Sequence, residues 1–509
     1  MATNGIPEGI DPRTPVLVGV GQVSQRVDRG EPALEPVDLM AEAARRAEAD
    51  SGAGAVLKAV QSVRVINLLS WRYADPGALL GQRVGAAPSE TVTTTMGGNY
   101  VQTVLNATGL AILAGDLDVA LLAGAEAWRS RSAARKSGTD LGWTTQPDDL
   151  APTVTMGADD PPLNHEAEMA RQIFLPTQVY PMFDSALRAA DGLGIDEHRD
   201  RIAALWAGFS EVAAGNPHAW IQRSYTAAEI RDATPENRMI SFPYTKLMCS
   251  NNNVEQGAAL LVCSAERAAA LGVPADRWVF LHSGADASDH WFISHRADLH
   301  SSPAMRLAGR GALELAGVGP DDLAHVDLYS CFPSAVQIAA RELGLVSSSG
   351  ELDRPLTVTG GMSFAGGPWN NYPMHGIATM AGLLREDPGG TGLCTANGGY
   401  TTKHAFGVLG CRPPAAGRFR HTSPQAEVDA LPRRDLATEY DGPCQVEAVT
   451  VVHDRDGAAE RGIVSVLLDD SRRAWGSLTD ADDMARAEEQ EIIGTAATMA
   501  ADGVVRLGG

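Results

Sequence analysis

Cysteine is sparse and scattered. The 509 residues hold six, at Cys249, Cys263, Cys331, Cys394, Cys411 and Cys444, and no two stand in a CxxC spacing. That pattern excludes a zinc-ribbon site and a disulfide-stapled scaffold. Aromatic residues make up only 6% of the chain, so its core must be built from Ala, Val and Leu. Basic residues are outnumbered, 41 Lys and Arg against 63 Asp and Glu, for a net charge of −22. Nucleic-acid binding needs a basic face, so no nucleic-acid partner is expected. An anionic small ligand stays compatible, because it needs only a few local cations or backbone N–H groups. Long apolar runs are also missing. The best candidate, residues 105–128, is broken by Asn106, Asp116, Asp118 and Glu126, which excludes a spanning helix. The opening MATNGIPEGI has no basic start followed by an apolar core. No secretory leader is therefore expected, and the reading is a reduced, cytoplasmic protein.

What is present is ordinary globular usage, 44% apolar and 20% charged, in a length that predicts about three domains. The first part alternates strand and helix signals. Strands are predicted at 14–21, 63–69, 90–95, 118–124 and 257–263, and helices at 36–48, 76–84 and 101–114, from β-branched runs and helical apolar spacing. The second part repeats the pattern. Strands are predicted at 278–283, 326–330, 356–359, 393–396 and 405–410, with helices at 304–316, 334–343 and around 375–384. Such a duplication predicts an α/β fold with helices covering the sheets. Residues 130–253, richer in Pro, Asn, Arg and aromatics, read as an insertion with helical pieces at 183–190 and 202–213 but no strand series. After Cys411 the runs VEAVTVV and GIVSVLL flank a charged turn at 454–457. They predict a hairpin within a small β domain, a five-stranded barrel or a sandwich.

Five stretches, in order, resemble the thiolase superfamily. Leu105–Glu126, ending GDLDVALLAGAE, is similar to the helix and strand that follow the thiolase nucleophile loop. VEQGAALLVCSAERAAAL (254–271) resembles the family's Asp-Gly-Ala-Ala segment, and VDLYSCFP (326–333) its Asn-Glu-Ala-Phe loop or the His-Asp-Cys-Phe version of sterol-carrier-type thiolases. GGMSFAGGP (360–368) resembles the Gly-His-Pro loop, and TANGGYTTKHAFGVLG (395–410) the Cys-x-Gly loop with its closing strand. In the family a cysteine at a helix N-terminus takes the acyl group of coenzyme A. A histidine activates it, a second cysteine moves the α-proton, and polar groups steady the enolate oxygen.

This chain departs from that pattern at the chemical positions. The nucleophile falls at Gly98, the Gly-His-Pro histidine at Gly367, the second cysteine at Asn397, the Asn or His of the fourth loop at Tyr329, and a serine near the acyl chain at Asn252. Glycine and asparagine are neither nucleophiles nor bases at neutral pH. The combination resembles the type-1 thiolase-like proteins, which lack the cysteines and carry an extra C-terminal domain. The resemblance implies a thiolase-like duplicated βαβαβαββ five-layer core with an inserted loop domain, plus a small β-rich, OB-like C-terminal domain. The implied boundaries are 1–129 and 254–275 for the N-terminal half, 130–253 for the insertion, 276–411 for the C-terminal half and 412–509 for the addition.

It also implies coenzyme A or an acyl-CoA as ligand, no tightly bound cofactor and no metal. The implied activity is that of an acyltransferase homologue, acetyl-CoA acetyltransferase-like and linked to lipid metabolism, without ordinary thiolase turnover. Two alternatives are a thiolase-like carbon–carbon lyase and a non-catalytic CoA-binding protein. A monomer is compatible with the added domain, and a homodimer is the alternative.

The candidate site residues each carry a bland reading too. His375 is positioned to replace the lost histidine, or is a helix-cap histidine. Tyr329 is a hydrogen-bond donor, or a space-filling strand-end tyrosine. Asn397 offers its amide to a carbonyl beside Gly398 and Gly399, whose N–H groups suit a ligand. Asn99 donates to a thioester carbonyl, or caps a helix. Asn252 is a ligand contact. Arg129, Arg131 and Arg135, with Lys136, form the densest basic patch, a phosphate site or a solvated face. Cys331 reads as packing, and Tyr400, Lys403 and His404 as members of the same loop and strand.

Overall fold

A computed structural model describes residues 6–27, 33–347, 352 and 354–508. The first five residues, part of the stretch read for a leader, lie outside the described residues. Twelve strands build or flank the core. They are β1 (Pro15–Ser24), β2 (Ser62–Val65), β3 (Glu90–Thr94), β4 (Val119–Ala127), β5 (Val154–Met156), β6 (Met239–Ser241), β7 (Tyr244–Thr245), β8 (Glu255–Ser264), β9 (Val279–Ser288), β10 (His325–Asp327), β11 (Thr391–Gly398) and β12 (Lys403–Gly410). The first half runs β3-β2-β4-β8-β1 and the second β9-β12-β11-β10. In both halves the closing strand, β8 or β12, is antiparallel to its neighbours, whereas β2–β4 and β10–β11 are parallel. The halves join where β1 meets β9, at Val16–Phe280 and Leu17–Val279.

The duplicated order is the one the sequence predicts, with one strand missing. Residues 356–359 do not pair as a strand. Thr357 Oγ1 and the Val358 N–H both donate to the Asp327 carboxylate, at 3.0 Å each, and the Thr359 hydroxyl meets that of Tyr372 at 2.7 Å. These side chains draw the backbone into a turn, as threonines do when they bond locally. Leu328 N to Leu356 O is the main-chain link left between the segments.

Helices Tyr100–Ala114 and Tyr372–Glu386 pack between the half-sheets, touching strands of both, while Pro36–Ser51 and Pro303–Ala316 cover the outer faces. β4 and β8 are buried along their whole length. Strands covered on both faces read as continuous apolar runs, which is why DVALLAG and GAALLVC stand out. Helix Pro76–Val84 starts where Asp75 accepts from the Ala78 N–H and ends at the left-handed Gly85.

Beyond the core, β13 (Arg420–Thr422) lies beside β9. A second, antiparallel sheet follows, of β14 (Gly442–His453), β15 (Ala459–Leu467), β16 (Arg473–Leu478), β17 (Ala496–Met499) and β18 (Val505–Leu507), in the order β16-β15-β14-β17-β18. The predicted β14–β15 hairpin is present. A bridge from Ser477 to Val504 brings the sheet's two ends together, closer to a barrel than to a sandwich.

The region read as strandless supplies strands to both sheets. β5 extends β3, and the β6–β7 pair is added to β14. These pieces are two or three residues long, too short for a periodic signal.

A buried arginine is one of the ties between the second sheet and the core. Arg473 is fully buried. Its Nε and Nη2 donate to Glu447 at 2.7 and 2.6 Å, and its Nη1 donates to the carbonyls of Ile293, Ser294 and Arg296 at 2.9, 3.0 and 2.7 Å. Truncating it leaves the Glu447 carboxylate with Ser465 Oγ as its remaining close donor and removes the side-chain donor shared by three carbonyls. Arg473→Ala is expected to cost about 3–5 kcal/mol of stability, the range for breaking a buried ion pair, read as a shift in urea midpoint. A midpoint within error of the wild type would contradict this role.

Candidate functional site

Three loops converge where β11, the fourth loop and the start of helix Tyr100–Ala114 meet. Gly98 stands at that helix's mouth, in the predicted nucleophile position. A Cβ built on Gly98 would lie 2.6 Å from the main-chain oxygen of Asn397 and 2.6 Å from the Tyr329 hydroxyl. The sequence-predicted Gly98, Tyr329 and Asn397 are therefore brought together, with a phenol and a carbonyl in the space of the missing side chain.

Tyr329 is fixed through its N–H, which donates to Thr395 Oγ1 at 2.8 Å, and by edge-to-face packing on Tyr372. Its hydroxyl makes no hydrogen bond among the described residues. Burial pushes this phenol well above its ordinary range, so it stays a neutral donor. The Cys331 thiol is pushed up to about 12 by burial, which keeps it protonated and supports the packing reading.

Asn397 is buried. Its amide nitrogen donates to the Tyr180 hydroxyl at 3.3 Å, leaving Oδ1 without a partner. The N–H2 expected to meet a ligand carbonyl is thus spent inside the protein. Tyr180 comes from helix Pro176–Asp191 of the inserted region and stacks on Phe332 with ring centroids 4.6 Å apart. No motif marks it in the sequence. The nearest signal is its place in a helix of alternating aromatic and apolar residues.

The glycine loop is held from several sides. The Gly97 N–H donates to Asn370 Oδ1 at 3.0 Å, and Asn370 Nδ2 donates to the Asn67 carbonyl at 3.0 Å. Lys403 Nζ donates to the Met96 carbonyl at 2.9 Å, pairs with Asp160 at 2.6 Å and lies over the Tyr100 ring. Burial lowers its pKa while Asp160 opposes the shift. Asn99 precedes the helix without capping it. Its unpartnered Oδ1 fills the point where Gly398 would carry a Cβ. Gly399 takes the left-handed φ of +71° that the loop requires.

The remaining candidates lie around this centre or apart from it. At Gly367 a Cβ would stand 2.9 Å from Asn252 Oδ1, so these two predicted positions are neighbours. His375 is not joined to Gly98, Tyr329 or Asn397 by any described contact. Its Nδ1 lies 2.8 Å from Gln22 Oε1 on β1, and Nε2 is buried without a partner. Burial, with His218 nearby, pushes its pKa down to about 3, so it stays neutral.

In the basic patch, Arg129 donates to the Val27 carbonyl at 3.0 Å and Arg131 stacks over Trp71, while Arg135 and Lys136 are exposed. The Tyr400 hydroxyl donates to the Phe174 carbonyl at 2.8 Å, and His404 Nε2 faces Asp289 at 3.2 Å. Among the described residues no group of three or more His, Cys, Asp or Glu is arranged to hold a metal, and no helix is long and apolar enough to cross a membrane.

Behind the loop, Glu126 accepts from the N–H groups of Leu69 and Ser70, at 2.8 and 2.7 Å. Burial outweighs these bonds and raises its carboxyl from 4.5 to about 7. A carboxyl that binds its proton more tightly when folded contributes stability that is fully present below pH 4.5. That contribution is lost as the pH rises through 7. The melting-temperature gap between wild type and Glu126→Gln should shrink from pH 5 to pH 8.5, and a gap constant with pH would refute the shift. Gly98→Ala should cost about 1–3 kcal/mol through overpacking. Tyr329→Ala should recover only part of it, since the Asn397 carbonyl stays in place. Thermal denaturation of both variants reads this out, and an unchanged melting temperature in Gly98→Ala would show that the position has room.

Residues 285–366 match the family described as thiolase C-terminal domain-like, and residues 424–504 match the thiolase-like protein type 1 additional C-terminal domain. A curated acetyl-CoA acetyltransferase of Methanothermobacter thermautotrophicus is 25% identical over 203 residues, 38% of this chain. The chain spans about half the length of that relative, 51%. Human mitochondrial 3-ketoacyl-CoA thiolase superposes with a TM-score of 0.54 at 17% identity, over 78% of this chain and 99% of that one. The Ltp2-ChsH2(DUF35) aldolase gives 0.59 at 21% identity, over 78% and 98%. Both likenesses show the fold. A monomeric SCP2-thiolase like protein type 1 from Mycobacterium smegmatis gives 0.82 at 32% identity, over 98% of this chain and 100% of that one. With this match along its whole length, the chain belongs to the type-1 SCP2-thiolase-like proteins.

Proposed function

We propose that the protein binds coenzyme A thioesters at the emptied thiolase site without forming an acyl-enzyme. The observation that carries this reading is the occupied space at Gly98, where a phenol and a main-chain carbonyl replace a nucleophile. An acyl-enzyme needs an activated side chain there, and the nearby Cys331 thiol is held protonated. In this reading the Tyr329 hydroxyl, free of protein partners, donates to the thioester carbonyl. The Gly398–Gly399 backbone adjoins Asn397 and would offer its N–H groups, and Arg135 with Lys136 are exposed cations that would meet phosphates. Asn99 packs against Gly398 and Asn252 against Gly367 beside this centre. The division into two core halves, an insertion at 130–253 and an OB-like addition from 412 belongs to the same proposal.

The chain acts as a monomer in this account, consistent with β5 covering the outer edge of β3. A second reading, a carbon–carbon lyase acting on CoA thioesters, is favoured by the free phenol at the reacting position and by the likeness to an aldolase.

Isothermal titration should detect saturable CoA binding that weakens in Tyr329→Phe for thioesters but not for free CoA. Acetyl-CoA should leave the intact mass unchanged, and acetoacetyl-CoA should not be cleaved by added CoA. Thiolysis at ordinary enzyme rates, or a mass increase of one acetyl group, would overturn the reading. Release of an aldehyde or ketone from a hydroxyacyl thioester, lost in Tyr329→Phe, would favour the lyase.

A further inference from the structure

Gly97, Gly98, Asn99 and Gly398 are all buried, and Asn397 is 2% exposed. A thioester reaches this centre only if one of its walls moves. β11, β12 and helix Tyr100–Ala114 belong to the packed core and open only with the fold itself. One wall is of a different kind. Residues 157–164 run between β5 and helix Glu166–Ala170 without regular structure, and Ala158, Asp159, Pro161 and Pro162 are exposed. The segment leaves β5 at the left-handed Gly157, with a φ of +82°. Leu163 closes over Gly399, its Cδ1 3.0 Å from the point where that glycine would carry a Cβ.

The fastening of this segment is concentrated on one atom. Asp160 Oδ2 pairs with Lys403 Nζ at 2.6 Å, and accepts from the Tyr100 hydroxyl at 2.7 Å and the Thr95 hydroxyl at 3.4 Å. Trp291 Nε1 adds a bond to the Pro162 carbonyl at 2.9 Å. The Asp160 side chain is 25% exposed, against 7% for Lys403, so water reaches the carboxylate from outside. Lys403 Nζ also donates to the Met96 carbonyl at 2.9 Å and lies 2.9 Å from the Cβ position of Gly97. The same ammonium therefore holds the segment on one side and the glycine loop on the other.

We propose that residues 157–164 are a strap that gates the glycine-loop site, with the Asp160–Lys403 ion pair as its latch. A partly hydrated carboxylate exchanges protein donors for water at small cost. Segments with few buried contacts are the ones that open locally, and such loops commonly control entry to a site. Release of Asp160 frees the strap from Tyr100, Thr95 and Lys403 in one event, and leaves the Met96 carbonyl as the remaining hold of Lys403 on the glycine loop. The use of this gate by a CoA thioester rests on the thioester reading above, whereas the latch itself does not.

Hydrogen exchange of the full-length protein, followed by mass spectrometry, tests the latch. In Asp160→Asn the amides of residues 157–164 and 96–99 should exchange together, on the order of tenfold faster, while β4 and β8 keep their rates. Lys403→Met should give the same paired rise. A double variant, Thr95→Cys with Asp160→Cys, tests the gate, since the parent side chains already meet. When oxidised to a disulfide it should take up acetyl-CoA at least about tenfold more slowly than when reduced. A segment that only stabilises the fold would not give a rate that switches reversibly with reduction. Unchanged exchange at residues 96–99 in both single variants would overturn the proposal, as would equal acetyl-CoA association rates in the oxidised and reduced double variant. A wild type that fails to bind acetyl-CoA, with exchange rising as expected in the single variants, would overturn the thioester reading and leave the strap standing.

Discussion

The buried Arg473 guanidinium is the constraint on which the arrangement of the molecule turns. Its fork is filled by Glu447 on one side and by three carbonyls of the 293–296 loop on the other. Trp475, two residues on, donates to Ser294 Oγ at 2.9 Å. That loop continues into Arg296, itself buried, which donates to Thr402 Oγ1 at 2.9 Å. Thr402 follows the residue that donates to Tyr180. A continuous run of short polar contacts therefore ties the second sheet to the glycine-rich loop of the site. An arginine suits this post because its planar donors match a carboxylate and several carbonyls at once.

The electrostatics of the site follow from the same burial. Tyr180, Tyr329 and Cys331 are all pushed up and Lys403 is lowered, each chiefly by loss of water. Dry surroundings favour neutral forms. The phenols and the thiol are thus held neutral, while Lys403 keeps its ion pair with Asp160.

The core was legible in the sequence because its physics is local and repetitive. Fully buried strands gave unbroken apolar runs, Pro76–Val84 carried its own start and stop signals, and the duplication appeared as one pattern read twice. Gly98, Tyr329 and Asn397 were found together because the first two sit in loops beside recognisable strands and the third lies near the end of one. What escaped has a common cause: it depends on partners far along the chain. Residues 356–359 have strand-like composition, but Asp327 and Tyr372 claim their hydroxyls. β5 and β6 are too short to have a period. The Asn397 amide meets Tyr180, 217 positions earlier. His375 looked like a replacement base by its distance from Gly367 in sequence, yet the helix turns its ring toward Gln22 on β1.

The small β6–β7 pair changes what the C-terminal sheet is. Ser241 pairs with Val452, and Arg238 donates to the Asp454 carbonyl, 216 positions later. During synthesis the inserted segment emerges long before the strand that completes it. Pairings so distant in sequence close slowly and leave strand edges open in the meantime. The C-terminal sheet is therefore built in part from the inserted segment rather than from the last hundred residues alone.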